Sequence, residues 1–168
     1  MAKNIIICAD GTGNKGGHTP DTNVFRLYQD VVKDSQQIAV YDNGIGTSQH
    51  KAWRAITGAF GIGISRNIRD LYHYLSRHYV PGDQVYMFGF SRGAATVRAL
   101  NFFIQRQGLI DGRDLDSELL RNAVRRLYGG HKWGRGKAGA RARGSYARHH
   151  RNLAIHDETP INFMGVWD

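Results

Sequence analysis

Short apolar runs alternate along this chain with longer segments that carry apolar residues at helical spacing. The runs occupy residues 4–8, 38–41, 85–88 and 161–167, and their nearly continuous apolar character is typical of strands covered on both faces. Strands separated by helices predict βαβ units, and therefore a parallel sheet with right-handed crossovers. Ligands of such sheets bind beyond the carboxyl ends of the strands.

The segments between the runs predict amphipathic helices. Asp21 or Thr22 can cap the first helix. Its apolar face is predicted to contain Val24, Leu27, Tyr28, Val31 and Val32. The stripe of a long second helix is Ile64, Ile68, Leu71, Tyr72, Leu75 and Tyr79, and Pro81-Gly82-Asp83 ends it. A third helix has its stripe at Val97, Leu100 and Ile104.

The composition is that of an ordinary globular chain. Its 168 residues are 41% hydrophobic and 22% charged, which predicts a single domain spanning residues 1–168. Cys8 is the only cysteine, so an intramolecular disulfide and a cysteine-based zinc cluster are excluded, and we expect it to be buried. The sequence contains no signal-peptide pattern or membrane-spanning run, so we expect a protein that is cytoplasmic as made, with signal-independent secretion left open.

The formal net charge of +9 is concentrated in one segment. Residues 121–152 contain ten Arg and Lys and no Asp or Glu, whereas the rest of the chain has 13 basic and 14 acidic residues. We predict a basic insertion at about 121–152. A flexible, solvated insertion is slightly favoured over a surface between Arg121 and Arg151 that docks on anionic lipid, and nucleic-acid binding ranks below both.

The sequence Gly89-Phe90-Ser91-Arg92-Gly93 lies where the third strand should become a helix. A G-x-S-x-G pattern alone is weak, but this context is the one that a nucleophile elbow requires. Such a turn strains the serine backbone and exposes its hydroxyl, while Gly89 and Gly93 allow strand and helix to approach closely. The alternative is a serine that merely caps the helix.

Two backbone donors could stabilise an oxyanion beside this serine. The N–H of Arg92 lies at the start of the helix, and a second N–H could come from Gly11 or Thr12 in the loop after the first strand. Asp10 could hold that loop by accepting local N–H bonds. A plain βα turn explains the same loop equally well.

A serine nucleophile needs a histidine base and an acid that orients it. Asp168 directly follows the last strand and fits the acid in the order serine, acid, histidine. No histidine follows Asp168; upstream, His18 and His50 lie on loops, and His156 is the least unfavourable internal candidate. We therefore expect a fragment whose histidine, C-terminal region or partner lies elsewhere, or a protein that has lost its catalytic completion.

Five blocks together carry a resemblance. They are Asp10 to Asn14 (DGTGN), Tyr41 to Thr47 (YDNGIGT), Pro81 to Asp83 (PGD), Gly89 to Ala94 (GFSRGA) and Gly165 to Asp168 (GVWD). In this order the chain resembles the α/β-hydrolase family that includes the catalytic domain of type VI secretion phospholipase effectors. The resemblance implies a three-layer α/β-hydrolase-like fold with a mainly parallel sheet, truncated at its C-terminal end, and a serine esterase or lipase.

The roles that follow from the motifs and the resemblance are these. Ser91 is the nucleophile and Asp168 the triad acid; Gly11, Thr12 and Arg92 form the oxyanion hole; Asp10, Asn14, Gly89 and Gly93 support the loops. The expected substrate is a carboxylic ester or a phospholipid, and no metal or organic cofactor is implied. The alternative is an inactive or truncated member that binds anionic lipid or nucleic acid through residues 121–152.

Two other enzyme classes fail on the sequence. A haloacid-dehalogenase-type phosphatase would need an aspartate at position 8, where this chain has Cys8. A P-loop nucleotide site would need G-x-x-x-x-G-K-[ST], which the sequence lacks.

Overall fold

A computed structural model describes residues 2–11, 21–43, 60–132, 146 and 152–167. Its centre is a four-stranded sheet formed by β1 (Asn4–Ala9), β2 (Gln37–Asp42), β3 (Gln84–Phe90) and β6 (Ile161–Trp167). The strand order is β2-β1-β3-β6, and every neighbouring pair is parallel. All four strands predicted from the apolar runs are confirmed, as is the parallel sheet.

Helices connect these strands and cover the sheet. They are α1 (Asn23–Asp30), α2 (Phe60–His78), α3 (Arg92–Gln107) and α4 (Ser117–Lys132). A separate antiparallel pair, β4 (Leu109–Ile110) and β5 (Ile155–His156), was not predicted, because two-residue strands leave no periodic signal. Within the described ranges, none of the helices combines the length and apolarity needed to cross a bilayer.

Alternate residues of the central strands enter two different cores, as the period of a strand requires. Ile5, Ile7 and Met87 face the larger core, which α2, α3 and α4 complete. Ile6 and Cys8 face a smaller core under α1. The fold is therefore the predicted three-layer α/β arrangement. Cys8 is buried, as predicted, and this burial raises the pKa of its thiol to about 12.

The smaller core covers only part of its face of the sheet. The eight-residue α1 packs on β1, β2 and β3, while Phe163 of β6 is 51% exposed. The expectation that both faces of every strand are covered is therefore wrong for this part of β6.

The start of α1 follows its capping chemistry. The Oγ1 of Thr22 accepts the backbone N–H of Phe25 at 3.0 Å, which satisfies a donor that has no acceptor within the helix. The helix ends at Asp30, and Val31 is already extended. Val32 therefore leaves the apolar face on which it was predicted, and it is 65% exposed.

The beginning of the predicted basic insertion is a core helix. Residues 121–132 belong to α4, and the Asp116 carboxylate caps this helix by accepting the N–H groups of Glu118 and Leu119. The buried face of α4 is Leu120, Ala123, Val124, Leu127 and Tyr128. This three-and-four spacing of apolar residues is visible in the sequence and indicates a helix, but the basic residues between them led to the prediction of an insertion. The other residues of the predicted insertion lie outside the described part of the chain, except Tyr146 and Asn152.

A buried carboxylate ties the amino edge of the sheet together. Asp83 forms an ion pair with the Lys3 ammonium, and it also accepts the backbone N–H groups of Lys3 at 2.9 Å and Val80 at 3.0 Å. Burial alone would raise the pKa of Asp83, but these hydrogen bonds outweigh it and hold the pKa below its ordinary value. The ionised Asp83 therefore stabilises the folded state.

We expect Asp83→Asn to lower the free energy of unfolding by about 2 kcal/mol at pH 7, because the partly buried Lys3 ammonium loses its charged partner. The stability that ionised Asp83 gives the wild type is fully present above the ordinary Asp pKa of about 3.9. It is lost as pH falls through the lower pKa that Asp83 has in the folded protein. Urea unfolding at pH 7 and pH 3 measures this. Asp157→Asn, at an exposed position, is the control, and an Asp83→Asn effect that is the same at both pH values would contradict the prediction.

Candidate functional site

The parallel strands bring several predicted residues to one edge of the sheet. Asp10 follows β1, Asp42 ends β2, Ser91 follows β3 and Trp167 ends β6. Because all four strands point the same way, these residues share the carboxyl edge.

Ser91 occupies the turn between β3 and α3 in an unusual backbone conformation. Its φ of 52° and ψ of −116° make it the only non-glycine residue with positive φ in the described ranges, and such a conformation costs about 1–3 kcal/mol. The residue is exposed, and its side chain makes no hydrogen bond that caps α3. The predicted strain is confirmed, and the alternative of a helix-capping serine is not supported.

The two flanking glycines lie where no side chain fits. A Cβ on Gly93 would lie 2.0 Å from the carbonyl oxygen of Ala9, and one on Gly89 would lie 2.6 Å from the carbonyl oxygen of Gly93. Helix α3 therefore begins in direct backbone contact with the ends of β1 and β3. The predicted reason for these glycines, close approach of strand and helix, is confirmed.

The backbone of Ser91 is joined to the last strand. Its N–H donates to the carbonyl oxygen of Trp167 at 2.9 Å, and Phe90 pairs with Trp167 in the register of β3 and β6. The next residue in the chain is Asp168. The predicted acid itself lies outside the described residues, as do Thr12 and Asn14.

Asp10, directly after β1, accepts hydrogen bonds from three other residues. It is 2% exposed, and its carboxylate accepts the N–H of Gly11 at 2.7 Å and the hydroxyls of Thr22 and Tyr41, each at 2.6 Å. Burial, followed by the hydrogen bond to Asp10, raises the pKa of Tyr41, so this phenol remains a donor. The predicted acceptance of a local N–H is observed, and the two hydroxyl partners come from distant parts of the sequence.

The same contact changes the assignment of the oxyanion donors. The Gly11 N–H already has an acceptor in Asp10, so Gly11 is a poor candidate for the second donor. Arg92 is the first residue of α3, in the turn whose N–H groups have no acceptor within the helix. Burial lowers the pKa of the Arg92 guanidinium.

The described histidines lie away from Ser91. His131 contacts the rings of Phe102 and Phe103, which are about 16 Å along α3 from Ser91 at 1.5 Å per residue. His156 lies in β5 and is 3.8 Å from the Asp111 carboxylate, beyond the far end of α3. His156 is therefore unsuitable as the base. His18 and His50 lie outside the described residues.

Two further histidines, His73 and His78, lie in the second half of α2. They line a cavity whose residues include Val40 and Asp42 but not Ser91. In the part of the chain that the structure describes, no three His, Cys, Asp or Glu residues are grouped to hold a metal ion.

Asp42 is a second acid at the carboxyl edge, and it is half-buried. Burial raises its pKa to about 6, although a hydrogen bond from the Asn67 amide partly opposes this shift. The backbone carbonyl of Asp42 also accepts the N–H of Asp10 at 3.0 Å. Only its place in a rim loop was predicted; the raised pKa depends on the helix α2 that covers it.

We expect Gly93→Ala to lower the free energy of unfolding by about 3 kcal/mol, because the new Cβ meets backbone atoms that cannot move aside. Gly165→Ala is the matched control. Its Cβ would approach only the rings of Phe88 and Phe163, at 3.0–3.2 Å, so a loss of about 1 kcal/mol or less is expected. Denaturant unfolding measures both, and equal losses would contradict the close-contact argument.

We expect Asp42→Asn to raise the free energy of unfolding by about 1 kcal/mol at pH 7, because it removes a carboxylate whose ionised form is disfavoured in the folded state. The expected gain is small because solvent screens this carboxyl. The unfolded chain releases the proton near pH 3.9 and the folded chain near 6, so the cost of ionised Asp42 appears as pH rises through this window. Below about pH 4 the variant and wild type should be equally stable. A destabilised variant at pH 7 would contradict the raised pKa.

Comparison with known proteins places the chain in a family. The sequence is 36% identical over 123 residues to an uncharacterised protein of Saccharomyces cerevisiae, YEL023C, and the match covers 64% of this chain and 18% of that protein. No solved structure matches significantly. Residues 3–168 match the family described as "T6SS, Phospholipase effector Tle1-like, catalytic domain". The chain therefore belongs to the Tle1-like phospholipase effector catalytic-domain family.

Proposed function

We propose that this chain carries a serine hydrolase site with Ser91 as the nucleophile. The observation that carries the proposal is the conformation of Ser91, which is strained, exposed and not used to cap α3. A strained residue persists where its surroundings hold it in place, and such positions cluster at active sites. The family favours a phospholipid as the ester substrate.

The proposed reaction is acyl transfer. The Ser91 Oγ attacks the ester carbonyl carbon while the histidine base takes its proton, and the carbonyl oxygen becomes an oxyanion. The oxyanion then collapses, the carbon–oxygen bond to the alcohol breaks, and the histidine gives the proton to the leaving oxygen. Water, deprotonated by the same histidine, attacks the acyl-serine ester; the carboxylic acid is released as the proton returns to the Ser91 Oγ. The Arg92 N–H at the start of α3 is the first oxyanion donor, helped by the positive end of the helix dipole.

The second oxyanion donor is assigned to the loop after β1. Since the Gly11 N–H donates to Asp10, we assign this role to the N–H of Thr12. Asp10 positions the loop through its bonds to Thr22 and Tyr41, and we assign Asn14 a supporting role in the same sequence block.

We assign the orienting acid to Asp168. Its support is that the preceding residue, Trp167, accepts the N–H of Ser91 at 2.9 Å, which brings the end of β6 beside the nucleophile. We assign the base to a histidine that lies either after residue 168 in a longer chain or in a partner protein. His18 and His50 are the alternatives within these 168 residues. The family also favours delivery by a type VI secretion system.

We expect Ser91→Ala to lower hydrolysis of a short-chain p-nitrophenyl ester and of a fluorogenic phospholipid by at least about 10³-fold, because the nucleophile is lost. A fluorophosphonate probe should label wild type at Ser91 and leave the variant unlabelled. Both measurements are made on the 168-residue chain and on a chain that extends past Asp168.

The matched control is Ser35→Ala, at an exposed serine outside the carboxyl edge. It should retain wild-type hydrolysis and labelling. Hydrolysis by the longer chain that survives Ser91→Ala would overturn the assignment of the nucleophile. Activity confined to the longer chain would locate the base beyond residue 168.

A further inference from the structure

A cavity of about 310 Å³ lies between α2 and α4. This volume is at the lower end of the range of about 300–1,000 Å³ found for ligand pockets. The charged and polar residues that line it are Arg66, Arg69, Asp70, His73, Arg121 and Arg125. None of them belongs to the site around Ser91.

The spacing of these residues explains why they converge. Arg66, Arg69 and His73 are separated by three and four positions, so they share one face of α2. Arg121 and Arg125 are four positions apart on α4. The two helices run antiparallel, since Tyr128 and Lys132 near the end of α4 contact Ser65 near the start of α2. The two basic faces therefore line the same cleft.

The cavity has a large excess of positive charge. Four arginines line it with one carboxylate, Asp70, which pairs with Arg66 at 3.5 Å in an exposed ion pair. Like charges four positions apart on a helix, such as Arg121 and Arg125, destabilise it. The repulsion among these arginines is unfavourable while the cavity is empty, and a bound anion would relieve it.

Two features prepare the cavity for a ligand. The Arg69 guanidinium lies over the ring of Tyr128, 5.7 Å from its centre, which restrains the side chain. The Nε2 of His73 is buried and has no hydrogen-bond partner among the described residues. Burial, Arg77 and Arg121 lower the pKa of His73, as expected in a positive field.

We propose that this cavity binds a phosphate group, presented either by a small phosphate-bearing solute or by a phospholipid headgroup. Arginine suits this ligand because its planar guanidinium donates two parallel hydrogen bonds to phosphate oxygens. The site is separate from Ser91, so it does not depend on the proposed hydrolase activity.

The test is a titration of the 168-residue chain with inorganic phosphate, followed by calorimetry and by thermal unfolding. Potassium chloride of matched ionic strength is the reference, because simple screening must be excluded. We expect saturable binding and a melting temperature that rises with phosphate. The double variant Arg121→Gln/Arg125→Gln should weaken binding by about tenfold or more.

Three variants make the result specific. Arg98→Gln removes an exposed arginine of α3 outside the cavity and should leave phosphate affinity unchanged. Asp70→Asn removes the competing carboxylate and should tighten binding. In chloride without phosphate, the double variant should melt at or above the wild-type temperature, because it relieves repulsion. That result also shows that the variant folds.

Vesicles of phosphatidylcholine with and without phosphatidic acid distinguish the two sources of phosphate. Binding to phosphatidic acid that the double variant loses, and that free phosphate competes away, identifies a headgroup. Phosphate binding without such vesicle binding identifies a small solute. Absence of saturable phosphate binding, or equal weakening by Arg98→Gln, would overturn the proposal.

Discussion

The contact between the start of α3 and the ends of β1 and β3 is the constraint on which the carboxyl edge depends. With 2.0 Å between an added Gly93 Cβ and the Ala9 carbonyl oxygen, only glycine permits the approach. That approach forces the turn to be abrupt, and the abrupt turn gives Ser91 its positive φ. The cost of the strained residue is offset by the cores under the sheet, where Ile5, Ile7 and Met87 are fully buried.

Carboxyl groups at the two edges of the sheet are held in different settings. At the amino edge, Asp83 is ionised against Lys3 and two backbone N–H groups. At the carboxyl edge, Asp10 is satisfied mainly by hydroxyls, and Asp42 is held in a setting that favours its neutral form. The raised pKa belongs to Asp42, at the edge where chemistry is expected, and perturbed pKa values are typical of functional sites.

The basic residues of the chain are also divided by the structure. The sequence presents residues 121–152 as one charged segment, but α4 uses its first twelve residues as part of the core. Leu120, Val124 and Tyr128 point inward, so Arg121 and Arg125 are directed to the side that faces α2. The sequence shows only a continuous basic segment. The packing of α4 against α2 is what brings Arg121 and Arg125 to one cavity.

The sequence by itself determined the four parallel strands and the turn at Ser91, because each depends on local periodicity or sterically required glycine. It also predicted why Gly89 and Gly93 are glycines. It left the cap of α1 open between Asp21 and Thr22, and the structure places it at Thr22. The tertiary structure alone decided that Asp10 is bonded to Thr22 and Tyr41, that Asp42 is covered by α2, and that His156 is far from Ser91. These properties depend on residues that are distant in the chain, and only packing determines which of them meet.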